Sequence, residues 1–162
     1  MPAIKSFREL DVYRLSAEAS SRVFQMTKTF PREEMYSLTD QIRRSARAVG
    51  AMIAEGWGRR RYRAVFINKL DEAIGETHES QAWLDTAKAA GYIAVETHKE
   101  LDAIFQRIGA MLNRMIDRAD DFCKFASDTD YRTKQPVHTQ SPSDHIESRL
   151  TSHQSRGGRA RG

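Results

Sequence analysis

The strongest constraint on this chain is the spacing of its apolar residues. Four stretches, residues 7–29, about 31–55, 63–90 and 97–125, repeat apolar side chains three and four positions apart, the period of one helix face. No segment alternates polar and apolar residues as a half-buried strand does. The first stretch places Leu10, Tyr13, Ala17 and Phe24 on one side, with Val12 and Val23 close by. The second carries Leu38, Ile42, Ser45, Val49, Met52 and Ile53; the third carries Phe66, Leu70, Ala73, Ile74, Thr77, Gln81 and Leu84. The fourth runs through Leu101, Ile104, Phe105, Ile108, Met111, Leu112, Met115 and Phe122. Pro31 breaks the first helix and suits the first turn of the next, which Glu33 and Glu34 favour through the helix dipole. Gly56 is placed to cap the second helix, Gly91 ends the third, and "THKE" at residues 97–100 has the pattern of a capping box.

Four long helices with short connections predict an all-α, antiparallel up-down-up-down four-helix bundle over residues 5–125. Beyond it, residues 126–162 are polar with sparse aliphatics, the composition of a disordered tail. The tail ends in "SRGGRARG", a flexible solvated end or an auxiliary RNA contact. No apolar run reaches the roughly 18–20 residues that span a bilayer, and the first ten residues lack the apolar centre of a secretory signal. With Cys123 as the only cysteine, an intrachain disulfide is impossible and a reducing cytoplasm fits.

Chemistry is sparse. Neither His78 nor His98 completes the Glu-x-x-His pair of di-metal bundles, and H-E-x-x-H and the P-loop pattern are absent. No catalytic residue, metal ligand or cofactor site emerges, and the reading is a non-enzyme. Glu72, Glu76 and Glu79 lie along one face of the third helix, where a solvated or arginine-paired acidic face is the plain reading and a cation site the sharper one.

Charge is unevenly distributed. Residues 1–63 hold 13 Lys and Arg against 7 Asp and Glu, a net of +6, whereas residues 64–125 are net −4 and the tail net +2. Such a split suits nucleic-acid contact through the basic half or association of one half with the other. Arg43 and Arg47 point almost opposite the second helix's apolar stripe, Arg44 lies to one flank, and Arg59, Arg60, Arg61 and Arg63 crowd the corner after "EGWG". Arginine forks suit phosphate, and Trp57 and Tyr62 offer rings for stacking, so these seven arginines are the candidate RNA or DNA surface; a solvated or salt-bridged corner is the alternative. Ala48, Ala51 and Ala54 lie off the main stripe and let another helix approach. With Glu72, Glu76 and Glu79 they are the candidate subunit contact, in which basic and acidic halves meet head to tail.

The order of short motifs resembles the four-helix-bundle family called 23S rRNA intervening-sequence protein. The motifs are "F.EL.VY...A" at residues 7–17, "FP.EE" at 30–34, "LT.QIRRSA" at 38–46, "IAEG.GR" at 53–59 and "L..A.G...E" at 70–79. The chain departs where the family often has "IPSNIAEG": here "VGAMIAEG" puts Gly50 and Met52 in the places of proline and asparagine. The resemblance implies antiparallel bundles assembled as homopentameric rings, some encoded inside bacterial 23S rRNA genes, with no catalytic residues to carry over. A related branch, the accessory variability determinant of diversity-generating retroelements, implies nucleic acid and a reverse transcriptase as partners.

Overall fold

A computed structural model of the protein describes residues 4–123, so the expected tail at 126–162 lies outside the described residues. The elements are α1 (Asp11–Met26), α2 (Leu38–Gly58), α3 (Arg63–Ala89), α4 (Val95–Asp117) and a one-turn α5 (Ala119–Phe122), with 3-10 turns at Phe7–Glu9, Thr27–Thr29 and Arg32–Glu34. Each long helix packs on its neighbours in sequence and α4 closes on α1, the up-down-up-down bundle expected of short connections. The core is one cluster, centred on Val23, Ile42, Val49, Ile53, Phe66, Leu70, Leu84, Phe105, Ile108 and Leu112.

The face of α1 differs from expectation. Val12, Ser16, Ala19 and Val23 are buried, whereas Ala17 is exposed, Tyr13 half-buried and Phe24 37% exposed. Small residues win the inward face because α1 lies close on α2: a Cβ at Gly50 would stand 3.2 Å from the Ser16 hydroxyl oxygen. A second small-residue contact holds α2 to α3, where the Ser80 hydroxyl donates to the Ser45 oxygen at 2.9 Å and a Cβ at Gly56 would meet the Lys69 Cβ at 3.2 Å. Gly56 is therefore a buried packing position inside α2, not its cap, and the helix continues to Gly58.

Local chemistry sets the ends. Pro31 belongs to the 3-10 turn before α2, and the Glu34 carboxylate then caps α2, accepting the Leu38 N–H at 3.3 Å and the Ser37 hydroxyl. The Tyr92 hydroxyl donates to the other Glu34 oxygen at 3.1 Å, and these hydrogen bonds hold the carboxyl below the usual carboxylate range. At the end of α3, Gly91 adopts φ +73°, with its N–H on the Lys88 carbonyl and the Tyr92 N–H on the Ala87 carbonyl, a Schellman closure. The chain is then free to restart at Val95 with Ala94 extended, so the "THKE" capping box does not form and Thr97 lies inside α4. The fourth segment also breaks at Arg118; beyond it Ala119 is buried and the Phe122 ring packs 5.8 Å from Phe66, closing the end of the bundle.

Candidate functional site

The seven candidate arginines separate into groups. At about 1.5 Å rise per residue, Arg43 and Arg59 are roughly 24 Å apart along α2 and its end, so no single strip joins them. At the α2–α3 corner most of the charge is engaged within the chain. Arg59 pairs with Glu55 at 3.1 Å, and Arg63 with Asp120 of α5 at 2.6 Å. The Arg60 guanidinium donates to the Trp57 carbonyl at 2.7 Å and lies 4.1 Å over the Trp57 ring. Trp57 is itself 7% exposed, so it is a core residue under an arginine lid rather than an open stacking platform. Arg61 and the half-open ring of Tyr62 remain at the surface. Arg59 and Arg60 thus answer to the end of α2, and Arg63 ties α3 to α5.

Arg43 and Arg47 face the other way, towards α1. The Arg43 Nε donates to the Thr27 hydroxyl at 2.7 Å, and Thr27 is anchored by donating to the Val23 carbonyl at 2.9 Å. This sets the Arg43 guanidinium 4.7 Å from the centre of the Phe24 ring. Lys28 approaches the same ring at 5.0 Å and Arg47 at 5.9 Å. Three cations therefore surround one partly exposed aromatic ring, and none has a carboxylate within ion-pair distance among the described residues. Lys28 was not singled out from the sequence; its signal is the Phe24-x-x-x-Lys28 spacing of one helical turn. Arg44 stands apart on the α3 side, where its charge opposes the rise in the Glu76 pKa.

Phe24 and Arg47 also end an open groove of 570 Å³ between α1 and α2. Its walls are apolar or small, chiefly Phe7, Tyr13, Ala17, Gly50, Ala51 and Ala54, with no acidic residue among the lining. Of the three alanines expected at a subunit contact, Ala51 and Ala54 line this groove and Ala48 lies outside it. Of the first-helix face read as core from the sequence, Leu10 is in the core, while Tyr13, Ala17 and Phe24 form one wall of the groove.

The acidic row is partly engaged too. Glu72 accepts from Lys69 at 2.6 Å and Asn68 at 2.8 Å, and Glu79 accepts the Trp83 indole N–H at 3.1 Å. Glu76 is half-buried, and burial followed by the neighbouring Glu79 charge raises its carboxyl pKa. Arg22 pairs with Glu100 at 2.7 Å, as Arg63 does with Asp120, so part of the charge asymmetry is balanced within the chain; the His98 ring meets Asp85 at 2.6 Å inside the acidic half. Burial pushes the half-buried Cys123 thiol up, which suits a packed side chain rather than a thiolate nucleophile. Among the described residues no group of three or more His, Cys, Asp and Glu side chains could hold a metal ion, and no helix is long and apolar enough to cross a membrane.

Comparison with known proteins places these features in a family. No curated protein matches the chain. A 1.70 Å crystal structure of a Bacteroides thetaiotaomicron VPI-5482 protein, described as of unknown function and from the S23 ribosomal protein family, matches with a TM-score of 0.60 and 29% identity, covering 65% of this chain and 95% of that one. The family model for the 23S rRNA-intervening sequence protein matches residues 8–114, more than half of the 162-residue chain. The chain belongs to the 23S rRNA-intervening sequence protein family.

Proposed function

We propose that this protein is a non-enzymatic, self-associating scaffold that binds nucleic acid. The observation that carries the reading is the shared α1–α2 surface: an open apolar groove that ends at three cations without an acidic partner among the described residues. The groove suits a helix of a second copy, because Gly50, Ala51 and Ala54 leave the α2 backbone approachable and Phe7 and Tyr13 supply apolar area. If the groove of one copy meets the acidic row of Glu72, Glu76 and Glu79 of the next head to tail, the contact is heterologous and closes into a ring when the rotation permits. A ring of five is what the family resemblance implies, and the acidic row sets orientation more than affinity. The cations at the groove's end suit phosphate.

Light scattering in moderate salt should report a closed oligomer well above dimer mass, and Ala51→Arg should dissociate it. A monomer or an isolated two-fold dimer across protein concentrations refutes the association. Filter retention of structured RNA or duplex DNA should be measurable at low salt and should fall steeply as salt rises, because phosphate contacts release counterions. No retention at low salt refutes the nucleic-acid half.

A second reading, a self-assembling bundle with a protein partner and no nucleic-acid role, is favoured by the internal pairing of Arg59, Arg60 and Arg63. Gene neighbourhood distinguishes the two branches of the resemblance. A reverse transcriptase gene with template and variable repeats alongside supports an accessory role in a retroelement; a position inside an rRNA gene supports the intervening-sequence type.

A further inference from the structure

We infer that the cation cluster around Phe24 is a single-strand site, taking a phosphodiester between Lys28, Arg43 and Arg47 and a base against the open part of the ring; this rests on the nucleic-acid reading above. Three features of the cluster point to that ligand. All three cations lie within 5.9 Å of one ring centre, so no two are more than 12 Å apart. No carboxylate among the described residues lies within ion-pair distance to offset their mutual repulsion; the negative face of the ring attracts all three, and the Thr27 hydroxyl accepts from Arg43. An anion placed among them relieves that repulsion, and arginine forks match its oxygens bidentately.

The second feature is rigidity. Arg43 is fixed by its hydrogen bond to Thr27, itself buried and bonded to α1, so one donor is held in place before the ligand arrives. The third is shape. A duplex reader presents a helix or loop that enters a groove, or spreads cations along a long backbone. Here α1 and α2 pack on each other, neither projects, and the charge is concentrated at one spot beside a ring that is 37% exposed. A compact set of cations beside an open aromatic is the arrangement that captures flexible strands, with stacking that tolerates any base.

The test uses the full chain and a labelled, unstructured RNA of about 12 nucleotides, within the site sizes of single-strand binders. The same sequence as a duplex, a 5′-phosphorylated form and free inorganic phosphate serve as competitors. We expect the single strand to bind about tenfold or more tighter than the duplex at equal salt, the fold-change of one stacked base. Lys28→Ala with Arg47→Ala should weaken single-strand binding by more than tenfold, while Phe24→Leu should abolish the single-strand preference and leave salt-dependent binding. Equal competition by phosphorylated and unphosphorylated strands marks an internal phosphodiester. Competition only by the phosphorylated form or by free phosphate overturns the strand assignment in favour of a terminal phosphate. If Arg59, Arg60 and Arg61 changed together to Ala abolish binding and the Lys28 and Arg47 pair does not, the site is refuted and nucleic-acid binding stands. If no RNA binds and the Lys28 and Arg47 variant instead loses oligomer mass, the cluster is a protein contact and both readings fall.

Discussion

Glu76 shows how one side chain reports on its surroundings. Its raised carboxyl pKa comes first from burial and then from Glu79, with Arg44 opposing. For an acid, a folded value above the unfolded one means that ionisation disfavours the folded state. The protonated form's advantage is complete below the unfolded value, about 4.3 for glutamate, and is lost as pH rises through the folded one. Glu76→Gln should therefore raise the melting temperature at neutral pH, and the gain should vanish below the ordinary carboxylate range. A neutral loss at pH 7 would mean that the Arg44 attraction outweighs the burial. At this scale the sequence is an incomplete guide: Arg43 and Arg47 were legible as outward-pointing, but their convergence with Lys28 on Phe24 depends on how α1 and α2 cross. Trp57 misled because a tryptophan between two glycines reads as exposed, whereas α2 continues through it and buries the ring.

Among the elements, α2 and α3 are joined by small residues, and glycines on them are not equivalent. A Cβ at Gly56 would stand 3.2 Å from the Lys69 Cβ, an atom fixed to the facing backbone, whereas one at Gly75 meets nothing within 4 Å. Gly75→Ala should stabilise the protein by up to about 1 kcal/mol through helix propensity. Gly56→Ala should destabilise it by about 1–3 kcal/mol, since overpacking forces the helices apart. Denaturant titration of both separates the effects, and equal stabilisation by the two would rule out close packing at Gly56. The four long helices themselves are legible because their 3.6-residue period survives any error about their ends. What the period did not settle was which face of α1 turns inward. Large side chains at Tyr13 and Phe24 suggested one face, but Val12, Ser16, Ala19 and Val23 repeat at the same period and allow the closer approach. The start of α4 was misread for a related reason: Gly91 closes α3 so tightly that the next helix begins before its most polar capping sequence.

For the whole molecule, α4 closes on α1 and α5 on α3 within residues 4–123. Deleting 127–162 should leave helical content, melting temperature and oligomer mass unchanged, and should weaken nucleic-acid binding only slightly through the loss of Arg156, Arg159 and Arg161. A melting temperature lowered by several degrees would place the domain boundary further along the chain. The bundle was readable from the sequence as a topology, while the groove was not, because an open groove is a property of two packed helices rather than of either pattern. That groove has a consequence for descent. On α2, Ile42, Val49 and Ile53 face the core, while Arg43, Arg47, Ala51 and Ala54 line or flank the open side. On α2 only Ala46 belongs to both, so most mutations that retune one set need not perturb the other. A lineage can therefore reshape this open face by drift along half of one helix while inheriting its fold through the other half.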